Sequence, residues 1–189
     1  MKRIGITGGI GSGKSYLSRF LNLRGIKVYD CDENAKRLMV SDRTIIEGLV
    51  GLIGHEAYLG GKINKSAVSR FLLASENNRR AVNAIVHPAV IRDFYHSGMQ
   101  WMESAILFEA DLQDSVDVIV CVSAPEDVRV ARIMRRDNIT REMARQWIDN
   151  QMPQERKEQM SDFVILNDGI IPLEKQVDTL LTSLSDCLT

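Results

Sequence analysis

Cysteine is scarce in this chain. Cys31, Cys121 and Cys187 are the only three in 189 residues, and they lie far apart with no C-x-x-C pair. Such a set excludes a disulfide framework or a closely spaced zinc site and suits a reducing compartment. His55, His87 and His96 add no metal-ligand spacing. No run of about 18 apolar residues is present to cross a bilayer. Lys2 and Arg3 lead directly into a β-like stretch, which leaves no apolar segment of signal-peptide length. An excess of one charge is also missing: 24 Lys and Arg face 25 Asp and Glu, for a net −1. No global field therefore marks a nucleic-acid or membrane binder, and neither partner is expected. Internal repeats and low-complexity tracts are absent too. What remains, at 44% hydrophobic and 26% charged residues, is a cytoplasmic globular chain long enough for a substantial core.

The apolar pattern alternates between short runs and helical stretches, which predicts α/β architecture. Strands are expected at 3–7, 27–30, 103–108, 116–122 and 163–166, apolar on both faces as buried parallel strands are. Helices are expected at 14–23, stopped by Gly25, and at 126–136 behind Pro125. Thr140 can cap a further helix over 141–150, Pro153 can open another turn, and 173–188 closes the chain. The stretch 33–100 is too long for a simple crossover. It holds helical patterns at 44–53, ending at Gly54, and at 65–74, then two more divided at His87-Pro88, with a turn at Gly60-Gly61. We read it as a helical insertion on the edge of a parallel sheet, holding a second substrate.

The run GGIGSGKS matches G-x-x-x-x-G-K-[ST] from Gly8 to Ser15 without a gap. Its chemistry needs these residue types. Glycines let the backbone curl so that successive N–H groups face an anion. The helix that starts near Lys14 adds its positive end. Lys14 supplies a point charge for the β- and γ-phosphates, and the Ser15 hydroxyl is placed to ligate Mg²⁺. A strand pattern before the motif and a helix pattern after it supply the context it requires. Gly9, Gly11, Ser12, Gly13, Lys14, Ser15 and Tyr16 are thus expected to hold the phosphates of a nucleotide. Tyr16 stands where many such loops carry a second small hydroxyl.

A GTPase would carry N-K-x-D on a late strand, and Asn64-Lys65 is followed by Ser66-Ala67 inside the insertion. A small-molecule kinase instead needs an acid at the acceptor hydroxyl, positive charge over the transferring group and a cover against water. VYDCDE offers the acid. On an extended strand end Asp30 and Asp32 would point the same way, one taking the acceptor's proton and the other holding Mg²⁺ through water. Arg129, Arg132, Arg135, Arg136, Arg141 and Arg145 offer the charge, in a helix–turn–helix suited to a closing lid. AILFEAD reads as a strand that ends in Glu109, an acid at the active edge or an ordinary loop residue.

Together these segments resemble the dephospho-coenzyme A kinases: ITGGIGSGKS, DCD after the second strand, IVHPAV, AILFEA, RIMRRDNITREMA and ILNDG, in order from Ile6 to Gly169. The resemblance implies a P-loop kinase-type three-layer sandwich with a parallel core sheet, a helical substrate-binding insertion and a helical lid. It implies ATP-dependent phosphorylation of the ribose 3′-hydroxyl of dephospho-coenzyme A, with Mg²⁺. Residues 1–32, 101–135 and 160–189 would form the nucleotide core, 33–100 the coenzyme A region and 136–159 the lid. Asp32 matches the family's general base, Arg136 a lid arginine at the phosphates, and Asn167 and Gly169 a segment beside adenine. Asp32, His87 and Glu109 would face the acceptor, and Ser15 and Asp30 the metal. The chain departs from the family at Tyr16, where threonine is usual, and at Ala105, where proline is common. A kinase of another nucleoside or nucleotide, or a silent nucleotide switch, stays open from the residues alone.

Overall fold

A computed structural model describes residues 2–186; Cys187 and the end of the helix expected over 173–188 lie outside them. By contacts the chain forms two units, residues 1–29 with 99–189, and residues 30–98.

The first unit is built on a five-stranded sheet. Its strands are β1 (Ile4–Thr7), β2 (Val28–Asp30), β5 (Trp101–Glu103), β6 (Val118–Ser123) and β7 (Phe163–Leu166), in the order β2-β5-β1-β6-β7. The pairs β1–β5, β1–β6 and β6–β7 run parallel, with Ile6 opposite Glu103 and Thr7 opposite Cys121. Every residue of β1 and β6 is buried, which is why both read as unbroken apolar runs. The helices are α1 (Lys14–Leu23), α6 (Glu126–Asp137), α7 (Arg141–Asp149), α8 (Gln154–Gln159) and α9 (Leu173–Asp186). Leu17 and Leu21 of α1 join Ile4, Ile6, Val120 and Val122 of the sheet and Val177 and Leu180 of α9 in one core. Each such side chain contributes about 1.5–3 kcal/mol by burial.

The second unit is helical: α2 (Cys31–Ser41), α3 (Arg43–Ile53), α4 (Lys65–Ala74) and α5 (Glu76–His96), with a small hairpin of β3 (Tyr58–Leu59) and β4 (Lys62–Ile63). Each helix begins on a residue that accepts from its own first turn: Asp30, Asp42, Asn64 and Ser75. Gly60 and Gly61 both take positive φ, 56° and 75°, as a two-residue hairpin turn requires. Ile45 and Leu49 are fully buried within this unit, and Tyr58 donates to the Met39 carbonyl.

Two sequence expectations need correction. The break at His87-Pro88 does not occur, because α5 runs through it. Pro88 forfeits one backbone bond, but Val82 and Val86 before it and Ala89, Val90 and Phe94 after it are all buried, so the packing keeps one helix. The strand expected at 103–108 is also displaced. It occupies Trp101–Glu103, and the apolar run behind it is coiled into turns, with Ala110 N–H bonded to Ile106 O and Leu112 N–H to Leu107 O at 2.8 Å. Among the described residues no helix is long and apolar enough to cross a membrane.

Candidate active site

Gly8 to Ser15 joins β1 to α1 at the centre of the sheet. From β1 the chain builds outward to β5 and β2 on one side and to β6 and β7 on the other. Such a switch of direction, at the carboxyl ends of the strands, is where open α/β sheets bind ligands. Gly8, Gly11 and Gly13 take φ of 144°, 79° and 98°, and this alternation turns the backbone into a cradle of N–H groups. Gly13 is the residue before α1, and no side chain caps that helix. Its positive end is therefore left to an anion. A Cβ on Gly13 would lie 2.1 Å from Asn167 Nδ2, so only glycine fits there.

Three cations close around the cradle through its carbonyls. Lys14 Nζ donates to Gly8 O (2.9 Å) and Gly9 O (3.3 Å). Arg129 Nε donates to Ile10 O (3.0 Å), and Arg132 Nη1 to Gly11 O (3.3 Å) and Ser12 O (3.2 Å). Burial pulls the Arg129 guanidinium below its ordinary pKa, though arginine stays charged in proteins. Asn167 Nδ2 donates to Ser12 O at 2.8 Å, and its Oδ1 accepts from Arg132. Asp168 accepts from the Ile171 and Ile170 N–H groups, which holds its carboxyl below the usual range and fixes the turn that contains Gly169. Residues far apart in sequence are thereby fastened to one loop.

A carboxylate not singled out from sequence sits against the Ser15 hydroxyl. Glu103, the last residue of β5, accepts from Ser15 Oγ at 2.9 Å and from Ser18 Oγ at 2.6 Å, and is buried. The strand expected at 103–108 begins where β5 in fact ends, which put the strand-end acid at Glu109 instead of Glu103. Glu109 instead lies in the turns after β5, ion-paired with Lys157 at 2.8 Å and accepting from Met152 N–H at 3.0 Å. Lys157 is fully buried and also donates to Ala105 O at 2.7 Å.

Arg136 does not share the orientation of its neighbours on α6. Arg129 and Arg132 reach the loop, while Arg136 is exposed and pairs with Asp137 at 2.8 Å. Tyr16 donates its N–H to Gly13 O (3.0 Å) and leaves its ring 52% exposed, so the bulky residue is tolerated by pointing outward. Gln151 and Gln154, not singled out from sequence, accept from the Ile10 and Gly9 N–H groups at 2.7 and 2.8 Å. Burial pushes the nearby Cys121 thiol up to about 11, which keeps it unreactive.

Asp30, Asp32 and His87 belong to the second unit. The strand-end arrangement expected for the two aspartates is not found. Asp30 ends β2 and caps α2, accepting from Glu33 N–H at 2.9 Å, and Asp32 is already in the first helical turn. Alternation does not apply within a helix, so the shared direction expected of a strand is lost. His87 lies inside α5, immediately before Pro88.

The dephospho-CoA kinase family model matches residues 2–172. A dephospho-CoA kinase of Bacteroides fragilis is 43% identical, covering 96% of this chain and 92% of its own. A crystal structure of a Thermus thermophilus protein superposes with TM-score 0.83 at 30% identity over 97% of both chains. The dephospho-CoA kinase structure from Campylobacter jejuni, at 17% identity and TM-score 0.66 over 99% of this chain and 98% of that one, shares the fold. The chain has the α/β fold of the P-loop kinases, and it belongs to the dephospho-CoA kinase family, enzymes of the final step of coenzyme A biosynthesis.

Proposed function

We propose that the chain transfers the γ-phosphoryl group of ATP to the ribose 3′-hydroxyl of dephospho-coenzyme A, with the cradle of the first unit as the phosphate site. The observation that carries this reading is Lys14 and Arg132 converging on a glycine loop whose helix is capped by no side chain. The loop N–H groups and α1 bind the β- and γ-phosphates, and Lys14 turns from its carbonyls to the transferring group. Arg136, exposed at the end of α6, is the lid arginine that offsets charge on that group once the lid closes. Asn167 and Gly169 flank the adenine.

The donor set suits magnesium. Ser15 Oγ and the Glu103 carboxylate it touches are hard oxygen ligands, and no group of three or more His, Cys, Asp or Glu among the described residues forms an all-protein cage. Mg²⁺ is commonly held this way, by one or two protein oxygens together with nucleotide phosphates and waters. A magnesium ion held by Ser15 and Glu103 would supply charge neutralisation for the nucleotide phosphates. Glu103 orients the Ser15 hydroxyl and supplies a second oxygen, a role we assign in preference to Asp30, whose carboxylate caps α2. Asp32 accepts the proton of the 3′-hydroxyl, and residues 33–100, with His87, hold the coenzyme A portion. Sparse thiols agree with a cytoplasmic setting.

An acceptor panel tests the reading. Purified protein with Mg·ATP is expected to form ADP rapidly with dephospho-coenzyme A and at background rate with adenosine, AMP or shikimate. Turnover of another panel member in place of dephospho-coenzyme A would overturn the acceptor.

A further inference from the structure

The phosphate loop has two ends, and they are held differently. In its later part Ser12 N–H turns back to Gly9 O (3.1 Å) and the Gly11 and Ser12 carbonyls accept from Arg132; in its earlier part the Gly9 and Ile10 N–H groups are occupied by amide oxygens of Gln154 and Gln151. Gln151 lies in the strap that joins α7 to α8, and Gln154 is the first residue of α8. Gln154 is buried and pinned to the sheet, its Nε2 donating to Cys121 Sγ (3.2 Å), Val122 O (3.4 Å) and Glu158 Oε1 (3.2 Å). Gln151 is half-buried and follows the end of α7 directly, with its N–H on Ile148 O at 3.1 Å. The next residue, Met152, is fastened by its N–H to Glu109, which in turn is paired with the buried Lys157. The strap is thus anchored on both sides of Gln151. A cleft of about 450 Å³ runs along it, lined in part by Arg129, Ile148, Gln151 and Gln154.

We propose that Gln151 is a positioning residue for the phosphoryl donor, acting through the Ile10 N–H with Gln154 as its fixed counterpart on Gly9. Loop glycines have several backbone states open to them. Holding the Gly9 and Ile10 N–H groups toward Gln154 and Gln151 removes those states before ATP arrives. The same bond ties the loop to the end of α7, so movement of α7 is felt at the donor site. An amide suits the position, since a carboxylate would accept the same bond but bring negative charge beside ATP.

This inference rests on the phosphate-loop reading above, and its test separates the two. Calorimetric ATP binding to the wild-type protein comes first: no binding would overturn the loop reading itself. Losing one loop-ordering hydrogen bond should raise the ATP KM of Gln151→Ala about tenfold, with the dephospho-coenzyme A KM and the melting temperature unchanged. Gln151→Glu keeps the acceptor oxygen and adds a charge. It should show a raised ATP KM at low salt that returns to within about twofold of wild type near 0.5 M salt, where screening is strong, while Gln151→Ala stays impaired. A merely structural role would lower the melting temperature and leave the ATP KM alone. An unchanged ATP KM in Gln151→Ala, or equal impairment of both variants at high salt, would overturn the proposal.

Discussion

At the scale of single residues, the site depends on a few positions where geometry leaves little choice. Gly13 combines φ of 98° with a Cβ direction blocked at 2.1 Å by Asn167. Gly13→Ala therefore meets backbone strain of about 1–3 kcal/mol and a collision with the side chain that holds Ser12. We expect it to abolish ATP binding in calorimetry; binding within about threefold of wild type would show that the cradle adapts, since a displaced loop normally forfeits several hydrogen bonds. Asp32 carries the proposed proton transfer. Asp32→Asn keeps the shape and removes the proposed base, so kcat should fall by about 10²–10⁴ while the ATP dissociation constant stays put. Near-normal kcat in that variant would remove Asp32 from the proton transfer.

Among the elements, β1, β6, β7 and the loop were legible because their signals are local. A buried strand announces itself by an apolar run, and a phosphate loop by glycines that no other residue replaces. Glu103 was not legible, because the apolar run after it looks like a strand and is a coiled turn buried through Leu107 and Phe108. The α5 helix was split in reading because a proline is a local signal, whereas the packing of Phe94 and Val86 that overrides it is not. The turn that Pro153 opens was legible and is α8, but the roles of Gln151, Gln154 and Lys157 were not, because they come from partners remote in sequence such as Ile10, Gly9 and Ala105. Lys157 makes the consequence measurable. Its ammonium is enclosed, and Glu109 and Ala105 O are its partners. Lys157→Met leaves Glu109 partly buried without its ion, and should lower stability to urea by about 3 kcal/mol. An unchanged unfolding midpoint would mean that the pair contributes nothing net.

On the scale of the whole molecule, the fold separates two tasks. The sheet unit presents a loop at the point where strand order reverses, and the start of α1, Lys14, Arg129 and Arg132 gather positive charge around it. The helical unit of residues 30–98 carries the aspartate and histidine assigned to the acceptor. Phosphoryl transfer needs little covalent chemistry from a protein, so positioning and charge account for most of it. The most direct test of the account is phosphorus NMR on the product formed from Mg·ATP and dephospho-coenzyme A. One new phosphomonoester on the ribose 3′-oxygen, formed in step with ADP, is the predicted result. ADP released without that phosphomonoester, or phosphate found on another oxygen, would contradict it.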